Sequence, residues 1–137
     1  MLIDSNILVY AINSSSPKHK SAQIFLQENI EKLVVAHQNI FETLRVLTHP
    51  KFPSPMATAP ALEAIKQITN ACRIISPDYK THSIALELIK KHNLSSDLVF
   101  DAYLVATAIS NNVSTIATDN AKDFKKFDID TLNPFSK

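Results

Sequence analysis

Residues 1–12 read MLIDSNILVYAI. Leu2 and Ile3 run straight into Asp4, Ser5 and Asn6, and a second apolar run extends from Ile7 to Ile12. A carboxylate inside an apolar segment is costly unless it is paired, hydrogen-bonded or bound to a cation. Residues 1–4 therefore read as a short buried strand ending at Asp4. A helix follows at once, with Asp4 or Ser5 as its cap.

The same alternation continues along the chain. NSSSP at 13–17 reads as a turn, and Pro17 to Ile30 carries an imperfect helical pattern. LVVA at 33–36 is a compact strand-like run. Ile40, Phe41, Leu44 and Leu47 fall at helical spacing between Gln38 and Thr48. HPKFPSP at 49–55 reads as the longest loop. Residues 59–71 read as helix, CRIIS at 72–76 as strand, and Pro77-Asp78 opens a helix to about Lys91. Ser95 or Ser96 caps a helix to about Asn111, STIAT at 114–118 is a strand, and 129–132 is a last short one. Short apolar strands alternating with helices predict a parallel sheet covered on both faces.

At 137 residues, one domain with a real core is the default. An apolar fraction of 45% and a charged fraction of 20% describe a globular chain. The lone Cys72 excludes an internal disulfide framework and reads as a small buried hydrophobe in a reducing compartment. No apolar run reaches the roughly 18 residues of a membrane span. The first residues lack the basic stretch of a signal peptide. The expectation is a cytoplasmic protein. The chain has no glycine, so Asn must serve the left-handed helix ends, with Asn93 and Asn111-Asn112 placed for it.

Ligands of open parallel sheets bind at the carboxyl ends of strands. Asp4 ends the first predicted strand, and Asp119 follows STIAT. Each alone also reads as an ordinary helix cap. Glu42 lies in NIFETLRVL, and Asp101 lies in LVFDAYLVATAI, the most apolar helix in the chain. Asp97 precedes Asp101 by four residues, so the two share a helix face and repel. The helix dipole offsets about 0.3–1 kcal/mol of that repulsion, and a cation would offset more. Acids of this kind suit Mg²⁺ or Mn²⁺, which take hard oxygen ligands and keep several waters. The five histidines show no zinc-type spacing. Arg45, three residues after Glu42, could pair with it or contact phosphate.

In order and spacing these segments resemble the PIN-domain ribonucleases, and among them the VapC-type toxins of toxin–antitoxin pairs. The carriers are D-S-N at 4–6, Glu42 in its helix, D-A-Y-L-V-A-T-A at 101–108 and T-D-N-A-K-D-F at 118–124. The resemblance implies an α/β/α sandwich, with one nuclease domain over 1–132 and a loose tail at 133–137. It implies an acidic quartet, Asp4, Glu42, Asp101 and Asp119, holding Mg²⁺ or Mn²⁺, with Asn6 and Thr118 orienting the acids. Asp97 becomes a fifth candidate ligand, and Asp123 reads as a structural cap. RNA is the implied substrate. An antitoxin protein and a second copy of the chain are the implied partners. The family often has Gly before the Asp101 helix and after it, where this chain has Ser95-Ser96 and Asn111-Asn112. Those departures touch the substrate groove rather than the metal chemistry.

Setting aside Asp4, Glu42, Asp97, Asp101 and Asp119 leaves eight acids against 14 Lys and Arg. A nearly neutral chain can thus still attract an RNA backbone. Lys18, Lys20, Lys51, Lys122, Lys125 and Lys126 are placed for it. The competing readings are a free-standing RNA-processing nuclease, a PIN-like module whose chemistry has lapsed, and a Mg²⁺-dependent phosphoacceptor domain. The acid inside an apolar helix argues against the phosphoacceptor, and the complete acid set argues against lapse.

Overall fold

The computed structural model describes residues 1–136. Five short strands, β1 (Leu2–Ile3), β2 (Val34–Ala36), β3 (Arg73–Ile75), β4 (Thr115–Ala117) and β5 (Asp130–Leu132), form one sheet. All neighbours pair in parallel, in the order β3-β2-β1-β4-β5. Helices α1 (Ser5–Ile12), α2 (His19–Glu28), α3 (His37–Thr48), α4 (Thr58–Thr69), α5 (Thr81–His92), α6 (Leu98–Ser110) and α7 (Ala121–Phe124) make the crossovers. This is the α/β sandwich expected from the alternating pattern.

Strand periodicity of two divides the core. Leu2, Val34, Ala36 and Ile116 point to one face, where they pack with Ala102, Val105 and Ala108 of α6. Ile3, Val35 and Ala117 point to the other, against Ile7, Leu8 and Ala11 of α1 and Ala22 and Leu26 of α2. The strands are buried on both sides, so they read as continuous apolar runs rather than alternating ones. A third cluster joins Val9, Leu47 and Ala61, tying α1, α3 and α4 together. Each fully buried Leu or Ile contributes about 1.5–3 kcal/mol relative to exposure.

The missing glycines are replaced as expected at two helix ends. Asn93 takes φ 51° after α5, and the Leu94 N–H closes back on the Ile89 carbonyl at 3.0 Å. Asn112 takes φ 60° after α6, and Val113 closes on Ala108 at 2.9 Å. The left-handed conformation costs an ordinary residue about 1–2 kcal/mol, and Asn tolerates it through its short polar side chain. Asn93→Gly is therefore expected to keep or slightly raise the melting temperature. Asn93→Ala is expected to cost about 1 kcal/mol, readable in a urea melt.

Several boundaries differ from the sequence reading. The helix expected from Pro77-Asp78 begins at Thr81, because the Asp78 carboxylate is spent on a turn, accepting from the Lys80 N–H at 2.8 Å. Ser96 does not cap α6 in extended backbone. It sits at φ 55°, and α6 starts two residues later. The short α7 falls where no helix was read. The stretch after Leu132 makes contacts as far as Phe135. Asn133 donates to the Asp119 carbonyl at 3.2 Å, and Phe135 packs edge-on against Tyr10, centroids 5.5 Å apart. Lys137, the last residue of that expected tail, lies outside the described residues. Cys72 is half-buried against the α1–α2 side of the core, as a small hydrophobe would be. Among the described residues no helix is long and apolar enough to cross a membrane.

Candidate active site at the carboxyl edge of the sheet

From β1 the chain crosses to β2 and β3 on one side, and β4 and β5 lie on the other. The order reverses between β1 and β4, and a parallel sheet opens its crevice at such a reversal. The register pairs Ile3 with Ala117, so the next residues, Asp4 and Thr118, leave the sheet side by side.

Asp4 is buried and satisfied three ways. Its Oδ1 accepts from the Ser5 N–H at 2.8 Å, capping α1. Its Oδ2 accepts from the Thr118 hydroxyl at 2.8 Å and from Asn6 Nδ2 at 3.5 Å. Asn6 Nδ2 also reaches Thr118 Oγ1 at 3.4 Å, and its Oδ1 accepts from the Asp119 N–H at 3.4 Å. Asn6 and Thr118 thus both bond the outer oxygen of Asp4. Burial pushes the Asp4 carboxyl up, the Thr118 and Ser5 hydrogen bonds pull it back, and the charge of Glu42 adds to the rise.

Glu42, on α3, is fastened at both oxygens. Oε2 accepts from the Ser5 hydroxyl at 3.1 Å, and Oε1 accepts from Gln38 Nε2 at 2.8 Å. Gln38 also donates to the Phe100 carbonyl at 3.1 Å, so α3 and α6 are stitched together beside the acids. Asp101, on α6, accepts none of the hydrogen bonds made among the described residues. Burial first, then the charges of Asp4 and Asp123, push its carboxyl up to about 6; Lys126 opposes the rise and Glu42 adds to it.

Asp119 faces differently. Its Oδ2 accepts from the Tyr10 hydroxyl at 2.8 Å and from Lys18 Nζ at 2.5 Å. Burial pushes Asp119 up, but the hydrogen bonds from Lys18 and Tyr10 outweigh it and hold the carboxyl below its ordinary value. Tyr10 is pushed up to about 12, by burial and then by its bond to Asp119, so it stays a donor. Asp97 precedes the first turn of α6 without a side-chain cap bond, and with Glu42 and Asp101 it lines a cavity of about 840 Å³. Lys18–Asp119 is the only ion pair among the described residues, so Arg45 is not paired with Glu42.

The structure thus draws Asp4, Glu42 and Asp101 toward one another and directs Asp119 to Lys18. Sequence reasoning did not assign four participants. Ser5, the link between Asp4 and Glu42, sits next to Asp4 and was read only as a cap. Gln38 carried a signal, one turn before Glu42. Lys18 reads in the sequence as a cation for an RNA backbone and Asp123 as a cap, whereas Lys18 pairs with Asp119 and the charge of Asp123 acts on Asp101.

The donor set consists of carboxylate oxygens with excess negative charge, which fits a hard divalent cation. Among the described residues no three His, Cys, Asp or Glu side chains stand close enough to hold an ion as placed. Mg²⁺ is commonly held by one or two carboxylates with water completing its shell, so the residues present still suit it.

A parallel α/β sandwich with acids at its topological switch defines a class, and the sequence pattern of the PIN domain matches residues 1–130. The chain belongs to the PIN domain family. Its distant relatives are VapC ribonuclease toxins. Ribonuclease VapC37 of Mycobacterium tuberculosis is 25% identical over 136 residues, covering 93% of this chain and 91% of its own. Ribonuclease VapC33 of the same species is 25% identical over 130 residues, with 90% of each chain covered. Among solved structures, VapBC2 from Rickettsia felis, bound to a DNA fragment from its promoter, superposes with a TM-score of 0.73 at 20% identity over 96% of both chains. FitAcB from Neisseria gonorrhoeae superposes at 0.73 and 17% identity over 98% of this chain and 97% of its own.

Proposed function

We propose that this single domain is a divalent-metal-dependent endoribonuclease that hydrolyses RNA phosphodiester bonds, and that it is the toxin of a type II toxin–antitoxin pair. The observation that carries the reading is the bonded chain Thr118–Asp4–Ser5–Glu42 at the switch between β1 and β4, with Glu42 and Asp101 lining one cavity beside it. The ribonuclease relatives give the substrate class. An antitoxin partner follows by analogy with a toxin–antitoxin complex of the same fold, and a second copy of the chain is proposed from the family resemblance alone.

The roles divide among the chain's own residues. Asp4, Glu42 and Asp101 are the acids that would hold Mg²⁺ or Mn²⁺, with water completing the shell and Asp97 and Asp119 at the margin of the set. Thr118, Asn6 and the Ser5 N–H fix the Asp4 carboxylate, and Ser5 and Gln38 fix Glu42. An ion bound there would lower the pKa of a water and stabilise charge on the attacked phosphate. Asp101 accepts no hydrogen bond among the described residues, so both its oxygens are open to an ion. Lys126, whose charge already acts on Asp101, is the cation offered to a phosphate there.

The test is cleavage of an unstructured RNA by purified protein with Mn²⁺ and with EDTA. Cleavage only with the metal is expected. Mn²⁺ at ten times its dissociation constant should also stabilise the fold by about 1.4 kcal/mol, a rise of about 4–5 °C in melting temperature. An uncut RNA together with an unmoved melting curve would overturn the reading.

A further inference from the structure

We infer that the cavity between α3 and α6 is a base-binding subsite, in which an unpaired base next to the scissile phosphate stacks on Phe41 and Phe100. This rests on the nuclease reading and deepens it. Phe41 and Phe100 are 67% and 57% exposed, although each is a large apolar ring. Both line the same cavity as Glu42 and Asp101, and among the described residues neither ring pairs with another aromatic. Each ring immediately precedes a proposed metal-holding acid in the chain. A strand that delivers a phosphate to those acids therefore carries its neighbouring base into reach of the rings.

Three further features favour a nucleotide. Arg45 lies one helical turn after Phe41, on the same face and in the same cavity, with no carboxylate partner among the described residues. A free guanidinium beside an aromatic face suits phosphate or the plane of a base. Gln38 bonds both Glu42 and the Phe100 backbone, which fixes the two rings relative to the acids. The cavity, about 840 Å³, falls within the roughly 300–1,000 Å³ range of small-ligand sites. Proteins read RNA mainly through unstacked bases laid on aromatic rings.

The test is binding of a fluorescein-labelled, unstructured RNA 12-mer by the whole chain in Ca²⁺, followed by anisotropy, beside KM and kcat for cleavage of the same RNA in Mn²⁺. Phe41→Ala and Phe100→Ala should each weaken binding about 5- to 100-fold and raise KM more than they lower kcat. Phe41→Trp should retain binding, and Leu86→Ala, at an exposed position outside the cavity, should be neutral. In a set of 12-mers with one abasic nucleotide each, one position should weaken wild type strongly and the Phe variants little further. RNA bound and cut alike by wild type and both Phe variants overturns the subsite and leaves the nuclease reading standing. So does loss of a dimer in sedimentation with RNA affinity unchanged, which would make the face a contact between copies. RNA neither bound nor cut by wild type overturns both readings.

Discussion

Asp101→Asn is expected to slow RNA cleavage more than about 100-fold while making the metal-free protein more stable at neutral pH. Loss of residues that merely orient a metal ligand typically costs 10–100-fold, and Asp101 is proposed to touch the ion itself. The stability gain follows from linkage. The carboxyl of Asp101 is raised from 3.8 in the unfolded chain to about 6 in the folded one. Between those values the folded state binds more protons than the unfolded, so stability falls as pH rises through that window. Above pH 6 the whole penalty is present. Because the group is half-exposed, solvent screening reduces that penalty to about 1 kcal/mol. Asn carries no charge and removes it. Melting curves of metal-free wild type and Asp101→Asn should therefore coincide near pH 4 and separate by about 4 °C at pH 7. A variant less stable than wild type at pH 7 would show that Asp101 is held by contacts rather than strained by its neighbours.

At Asp4 the two conservative tests should separate sharply. Asp4→Ala removes the cap of α1 and strands the Thr118 hydroxyl in a buried position. Loss of an N-cap costs about 0.5–2 kcal/mol and an unsatisfied buried polar group about 1–3 kcal/mol. Relief of a buried charge offsets part of this, leaving a net loss of about 2–3 kcal/mol. Asp4→Asn keeps the cap, since Asn and Asp serve equally well there, but sets a donor amide where Oδ2 accepts from Thr118 and Asn6, so it should lose less stability than Asp4→Ala without matching wild type. Both variants should be inactive in cleavage, because neither offers the anionic oxygen. Guanidinium unfolding alongside RNA cleavage checks both halves. An active Asp4→Asn would assign Asp4 to the scaffold alone.

The sheet and most helices were legible because short apolar runs between helical periods have few other solutions. Asp4 and Asp101 stood out for a different reason: each interrupts an apolar segment, and burying a carboxylate there needs a compensating partner. What stayed hidden was the environment of Asp119. Lys18 and Tyr10 lie 101 and 109 positions from it in the chain, and nothing local announces that they meet. Ser96 misled for the opposite reason, since Ser before a helix is ordinarily an extended cap, and here the tight entry into α6 forces it left-handed.

The bond between Thr118 and Asp4 spans 114 positions, and β1 has β4 as one of its two neighbours in the sheet. During translation, the nascent polypeptide therefore carries its first aspartate for nearly the whole of its synthesis before the strand that orients it emerges. At about 5–20 residues per second, that interval lasts several seconds to about half a minute. A chain built this way completes its candidate site only once its last strands have been made.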